Sequence, residues 1–248
     1  RHQLVVGEIY YRLRQHVDHL RLGRVMVSPL DVVLDDHNVL QPDVIFAAAG
    51  GCFATFVANT WTTPAKITFE RDGTTLDPST FGYLPKGTGQ NITYTPLTGA
   101  EIPPGEVAIF FLSQSPSFVP GTACPSSIKA ALSVDAAQHG TGLGRAFHMT
   151  ASVPVVAYDI FPYGGGSSAL TSATLLLPTS AWDTNYVHID AWTPNAVEQS
   201  VLAVAAANDA TEVTIQAKNG ISGGPGIDGG AANTPTTYTL DRGQVLQL

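Results

Sequence analysis

The chain has 248 residues, of which 44% are hydrophobic and only 13% charged, and it carries a net charge of -8. The apolar share is ample for a core and excludes wholesale disorder. The acidic balance excludes a basic nucleic-acid groove along the whole chain, and no apolar run reaches the ~18 residues that a membrane helix needs. At about 150 residues per domain, one large domain or two small ones are expected. The 24 Gly and 17 Pro predict a chain broken by many turns. The sequence opens on Arg1, so its natural start is expected to be missing or processed, and a signal peptide is not excluded.

Composition changes along the chain. Residues 1–46 hold eleven charges, against 21 in the 202 residues that follow, and four of the seven His (His2, His16, His19, His37). Gly is scarce before residue 47 and abundant after it. Such a shift suggests two pieces of different origin. In the first, Val5, Ile9, Leu13, Val17 and Leu20 recur at helical spacing, and Gly23 is a stop signal. Three short strands follow: Arg24–Val27, Leu30–Leu34 and Val39–Phe46. Residues 47–50 read as a linker, the Ala47–Gly51 stretch (AAAGG) being small and flexible.

From Gly51 onward the pattern is all-β. Strands are expected at Phe53–Val57, Lys66–Glu70, Ile92–Thr95, Val107–Leu112, Ala146–Thr150, Pro154–Ile160 and Ala173–Leu177. Five more are expected at Tyr186–Ala191, Val201–Ala206, Glu212–Ala217, Thr236–Leu240 and Gln244–Leu248. Turn signals separate them, such as Arg71-Asp72-Gly73 and Pro103-Pro104-Gly105. Segment 128–138 fits one helical turn or a strand at Ile128–Val134, and residues 219–233 read as a Gly-rich loop too flexible to pack. The expected fold is mainly β: an antiparallel β-sandwich-like domain, with propeller-like blades as the alternative, behind a small αβββ subdomain.

Several blocks resemble known families. His2-Gln3, Gly23-Arg24-Val25, Pro29–Leu34 and Gln41-Pro42-Asp43-Val44 resemble the start of Uma-type restriction endonucleases of the PD-(D/E)XK superfamily. In that family the Asp of the QPD element is a metal ligand, so the resemblance implies a vestigial ligand at Asp43. Such a site needs further carboxylates to hold Mg²⁺ beside the scissile phosphate and a Lys to help activate water. The family's next strand, acidic residue and basic partner do not follow Asp43 here. Glu212 and Lys218 are the nearest imitation, at a spacing of six where two is needed.

Gly51–Ala54, Phe56–Trp61, Pro103–Ile109, Gly140–His148, Pro154–Tyr158, Leu176–Trp182, Thr211–Ile215 and Leu240–Leu246 resemble the N-terminal domain of IgGFc-binding proteins, in the form common in bacterial surface or secreted proteins. That resemblance covers residues 51–248 and implies a non-enzymatic extracellular or cell-surface binding or adhesion module, incomplete at its C-terminus. It implies a protein or glycan ligand, no nucleic acid and no cofactor. An extracellular setting favours a disulfide between the only cysteines, Cys52 and Cys124, the alternative being two buried thiols. The contrasting reading is a Uma-type endonuclease, inactive for want of its second motif; a functionless fusion is a third.

Other constellations favour structural readings. Gly223–Asp228 matches one copy of a GGxGxD calcium repeat, but one copy cannot supply adjacent turns, and a plain loop is expected. Gly140–Gly144 lacks the helix and Lys of a phosphate loop, and a turn is expected. His148, His188 and Asp190 lie in strand patterns as surface polar residues, with a metal site as the alternative. Trp61, Trp182, Trp192, Tyr163 and Tyr186 sit beside turns, where aromatics plug a sandwich end or anchor a partner, and structural roles are expected. Asn91-Ile92-Thr93 is a glycosylation sequon, relevant in a eukaryotic secretory path.

Overall fold

The computed structural model describes residues 49–88, 91–118, 121–164, 172–188 and 201–248. The helix and strands expected in residues 1–46, with Asp43, lie outside the described residues. The described chain is mainly β. Its strands are β1 (Phe53–Ala58), β2 (Ala65–Arg71), β3 (Thr74–Leu76), β4 (Gly82–Lys86), β5 (Thr93–Pro96), β6 (Glu101–Ile102), β7 (Val107–Ser113) and β8 (Gly142–Arg145). They continue with β9 (Phe147–Ala151), β10 (Val156–Phe161), β11 (Ser172–Leu176), β12 (Ala203–Ala205), β13 (Thr211–Ile215), β14 (Thr236–Leu240) and β15 (Gln244–Gln247).

The first sheet is antiparallel in the order β11-β10-β1-β7-β4-β5. Its central strand β7, VAIFFLS, is apolar almost throughout because both of its faces are covered. Ala108, Phe110 and Leu112 enter one core, and Ile109 and Phe111 enter another. Facing the first core is a second sheet built on β2, whose buried Ala65, Ile67 and Phe69 alternate with exposed Lys66 and Thr68. That period of two is what a strand with one wet face requires. Phe69, Phe81 and Phe110 meet at ring-centroid distances of 5.0 to 6.2 Å between the layers. Two sheets packed over one core make a sandwich, as expected, and not propeller blades.

The outer face of the first sheet holds the second core, which includes Cys52, Ala54, Ile109, Phe111, Cys124 and Tyr163. Segment 128–134 is neither helix nor regular strand. It runs extended beside β7, where Leu132 bridges Ser113 in parallel and the Ala131 amide donates to Phe111 O at 2.9 Å.

A third sheet joins mid-chain to C-terminus in the order β12-β15-β8. Here the expected turn at Gly140–Gly144 is corrected: Gly142–Arg145 is a strand paired with Gln244–Gln247. Only Ala146 separates β8 from β9, and its amide donates to Gly243 O at 2.9 Å, so one run of chain serves two sheets. The β13–β14 hairpin supplies Tyr238 and Leu240 to a third core with Leu246, Ala206 and Ile227. Ile227 is buried because residues 219–233 are an ordered hairpin and not a loose loop. Gly224 and Ile227 exchange two backbone hydrogen bonds of 3.0 Å, and Ile221 pairs Gly230. The glycines are needed there: a Cβ on Gly224 would collide with the carbonyl of Thr141.

Short strands β3, β4, β6 and β8 escaped the sequence pattern, having Pro or Gly within them or too few residues to show a period. Of the expected strand Tyr186–Ala191, residues 189–191 lie outside the described residues, and Tyr186–His188 belong to no named strand.

Candidate functional site

The chain leaves β1 at Asn59, a polar residue only 1% exposed at one end of the sandwich. Burying an amide side chain is costly unless its groups are paired. All of them are. Asn59 Nδ2 donates to Thr63 O at 2.9 Å and to Ile102 O at 2.8 Å, and its Oδ1 accepts from the Trp61 amide at 2.9 Å. Its own amide donates to Glu106 O at 3.0 Å, and its carbonyl accepts from the Gly105 amide at 2.9 Å. Asn59 thus clamps loop 59–64 to the β6–β7 turn, Pro103–Glu106.

On this clamped loop Trp61 is 50% exposed. A structural role as a plug of the sandwich end is expected of Trp61; the structure leaves half of the residue in solvent. The same loop ends at Pro64, which lines a shallow groove of about 300 Å³ with Leu84, Pro96, Leu97, Glu101 and Pro103. Glu101 and Glu106 are both exposed, and neither is in an ion pair among the described residues. Lys66, the cross-strand partner of Glu101, also stands outside any ion pair there. A rigid loop carrying an exposed indole beside prolines and the exposed carboxylates of Glu101 and Glu106 is suited to holding a partner, since exposed Trp contributes much area for little lost entropy.

The other sequence candidates are dispersed. Cys52 and Cys124 are bonded to each other, with Cα atoms 4.8 Å apart. Beside them Tyr163 is buried, as expected of a structural aromatic, and its hydroxyl lies 2.7 Å from that of Tyr94. Burial raises the pKa of both phenols above the ordinary value, keeping them neutral. Trp182 and Tyr186 are half-buried, and the Tyr186 hydroxyl accepts from the Asp183 amide at 2.5 Å. Trp192 and Asp190 lie outside the described residues.

His148 is half-buried on β9, where its Nδ1 accepts from the Arg242 guanidinium at 3.3 Å. Arg242 also lies 3.8 Å from Glu70, and Arg145 pairs Asp72 at 3.2 Å. These groups join the second and third sheets. Arg71 stacks 5.2 Å from the Phe147 ring centroid, and partial burial lowers its pKa while Asp72 opposes that shift. Such half-exposed pairs contribute about 0–1 kcal/mol each to stability.

Among the described residues there is no group of three His, Cys, Asp or Glu able to hold a metal ion, and no helix is long and apolar enough to cross a membrane. Asp228 of the calcium-like stretch uses its backbone carbonyl to accept from the Tyr238 hydroxyl at 2.9 Å. Glu212 stands on β13 and Lys218 in the loop after it, and Asp43 lies outside the described residues.

Asn59 carried no chemical signal in the sequence beyond its place in a resembling block. An Asn just after a strand and before a Thr-Trp turn is the residue type that holds its own loop by side-chain hydrogen bonds. Glu101 and Glu106 were invisible as a pair, because only the turn between β6 and β7 brings them to one end of the sandwich.

Residues 172–248 match the family model described as IgGFc binding protein. Neither a curated protein nor a solved structure matches the chain. The matched stretch contains β11, β12, β13, β14 and β15, and so contributes to three of the sheets. Its similarity is to a family of binding domains.

Proposed function

We propose that the described β-domain is a non-enzymatic binding module of the IgGFc-binding type, working outside a bacterial cell or at its surface on a protein or glycan ligand. The family match over residues 172–248 carries this reading. It extends to the whole domain because β11 adds to β10, and β15 is sandwiched between β12 and β8. The Cys52–Cys124 bond supports an oxidising compartment, where such bonds persist. The clamped Trp61 loop supplies a preformed contact surface, and preorganisation lowers the entropic cost of association.

The test is a binding assay of the oxidised full chain against arrayed extracellular proteins and glycans, immunoglobulin Fc among them. Saturable binding that needs no metal and leaves the ligand chemically unchanged is expected. Absence of binding across the array would overturn the reading. So would Mg²⁺-dependent cleavage of duplex DNA that disappears in Asp43→Ala, the outcome the nuclease-like N-terminal block requires.

A further inference from the structure

The geometry points to the Trp61 end of the sandwich as the docking surface for an extended, Arg- or Lys-bearing segment of a partner protein. This rests on the binding-module reading and adds to it a place and a partner chemistry.

Three features of that end decide the chemistry. First, Trp61 is 50% exposed on a loop that Asn59 fixes through its own side chain, so the indole is presented without a search through loop conformations. An exposed indole face attracts cations through its quadrupole, and guanidinium groups most often occupy such faces. Second, the turn Glu101-Ile102-Pro103-Pro104-Gly105-Glu106 carries two exposed carboxylates outside any ion pair among the described residues. It is tied to the Trp61 loop at Ile102, Gly105 and Glu106. Lys66 stands across the ladder from Glu101, so the excess negative charge of this turn is carried by Glu106, and on a chain of net charge -8 it complements a basic partner and repels an acidic one.

Third, the adjoining groove of about 300 Å³ is lined by Pro64, Pro96 and Pro103 with Leu84 and Leu97. Proline contributes a rigid apolar surface without a backbone donor, so the groove takes apolar side chains and does not capture the segment by strand pairing. An extended segment therefore lays apolar residues on the prolines and places a cation at the carboxylates and Trp61. Sugars also stack on Trp and can donate hydroxyls to a carboxylate, but a cation gains the charge attraction that a neutral sugar lacks.

The experiment selects a displayed library of random 12-residue peptides against the oxidised full chain. It then titrates selected peptides, synthesised singly, into the parent and three variants: Trp61→Ala, Glu101→Gln/Glu106→Gln, and Lys218→Ala as a remote control. The expected peptides are enriched in Arg or Lys. Their affinity falls about tenfold or more in Trp61→Ala, as for a side chain central to an interface. It falls in the double Gln variant, weakens with added salt, and is unchanged in Lys218→Ala. Thermal unfolding of each variant separates lost binding from lost fold.

Peptides without basic enrichment, or whose binding ignores Trp61→Ala and the double variant, overturn the assignment. A glycan whose binding depends on Trp61 also overturns it, in favour of a sugar. Array ligands that bind equally to the parent and Trp61→Ala count against this surface alone. An empty selection beside a positive array also counts against this surface alone, and an empty array counts against the module.

Discussion

Leu143 and Leu246 stand opposite each other in one antiparallel ladder, although one lies in the middle of the chain and the other near its end. The family-matched stretch, residues 172–248, therefore closes a sheet whose third strand it does not contain. Its first strand, β11, likewise pairs with β10, which precedes the matched stretch. Residues 172–248 made alone should lack cooperative unfolding and dispersed amide resonances, because β11 and β15 each lose a neighbour. Residues 49–248 should fold. A folded 172–248 fragment in a heteronuclear NMR spectrum would refute this dependence.

The Cys52–Cys124 bond links positions 72 apart in sequence and fastens segment 121–132 over the second core. Closing a loop of that length restricts the unfolded chain by about 4 kcal/mol. For a domain of this size that corresponds to a Tm loss of roughly 10 °C on breaking the bond. The Cys52→Ser/Cys124→Ser variant should show that loss by calorimetry, and thiol titration of unreduced protein should find no free sulfhydryl. An unchanged Tm would mean that packing alone holds the segment.

How much of this was legible in the sequence depended on local pattern. Strands such as Phe53–Ala58 and Thr236–Leu240 announced themselves, being β-branched or aromatic runs between turn residues. Gly142–Arg145 did not, since GLGR has the composition of a turn and becomes a strand only because Gln244–Gln247 lies beside it. The Gly-rich hairpin failed for a related reason. Its glycines serve close backbone approach to Thr141, a tertiary fact that reads locally as flexibility. For the site, Trp61 was visible as a turn aromatic, but its exposure depends on the Asn59 clamp, whose partners lie up to 47 residues away at Glu106. The cysteine pairing followed once an extracellular setting was assumed, because only two cysteines are present.

Asn59 is the side chain whose loss should cost most at the Trp61 end. Asn59→Ala leaves the Thr63 and Ile102 carbonyls and the Trp61 amide without their partner. With Ile102 buried, the loss should be about 3 kcal/mol, the range for orphaned buried polar groups. Trp61→Ala, by contrast, should change stability by less than about 1 kcal/mol, since half the side chain's surroundings are water. Denaturant unfolding of the two variants decides. Equal losses would place Trp61 in the core and Asn59 outside its clamping role.

Asp159 on β10 accepts from the Thr174 amide at 3.1 Å, and burial raises its pKa above the ordinary carboxylate value. A raised folded-state pKa means that the native state holds the proton more tightly than the unfolded chain. The cost of ionisation is therefore absent below the unfolded pKa of about 3.9. It grows as pH rises and is complete above the raised folded value. Asp159→Asn keeps an acceptor for Thr174 without the charge, and should raise Tm at pH 7 and leave it unchanged near pH 3. A lowered Tm at pH 7 would show that the ionised form makes a contact worth more than its desolvation.

Asp135 behaves in the opposite sense, and it ties down Gly50. Burial pushes its carboxyl pKa up, but hydrogen bonds from His139, the Ala137 amide and the Gly50 amide outweigh that and hold it below the ordinary value. The Gly50 and His139 contacts are each 2.8 Å long. Gly50 is buried, and its carbonyl accepts from the Ser115 amide at 3.0 Å. The small-residue stretch 47–50 is thus fastened at its last position. Because the folded-state pKa of Asp135 lies below the unfolded value, its stabilisation is complete above about pH 3.9. It is lost as pH falls through the depressed folded value. Limited proteolysis at pH 7 should leave a fragment beginning near the exposed Ala49, since small exposed residues are nicked first. In Asp135→Ala the Gly50 amide loses its acceptor, so the cut should spread beyond Gly50 toward Cys52, where the amide is held by Thr122 O at 2.8 Å. Mass spectrometry of the fragments reads the boundary directly. The same cut in parent and variant would mean that Ser115 and the packing around Gly50 hold it without the carboxylate.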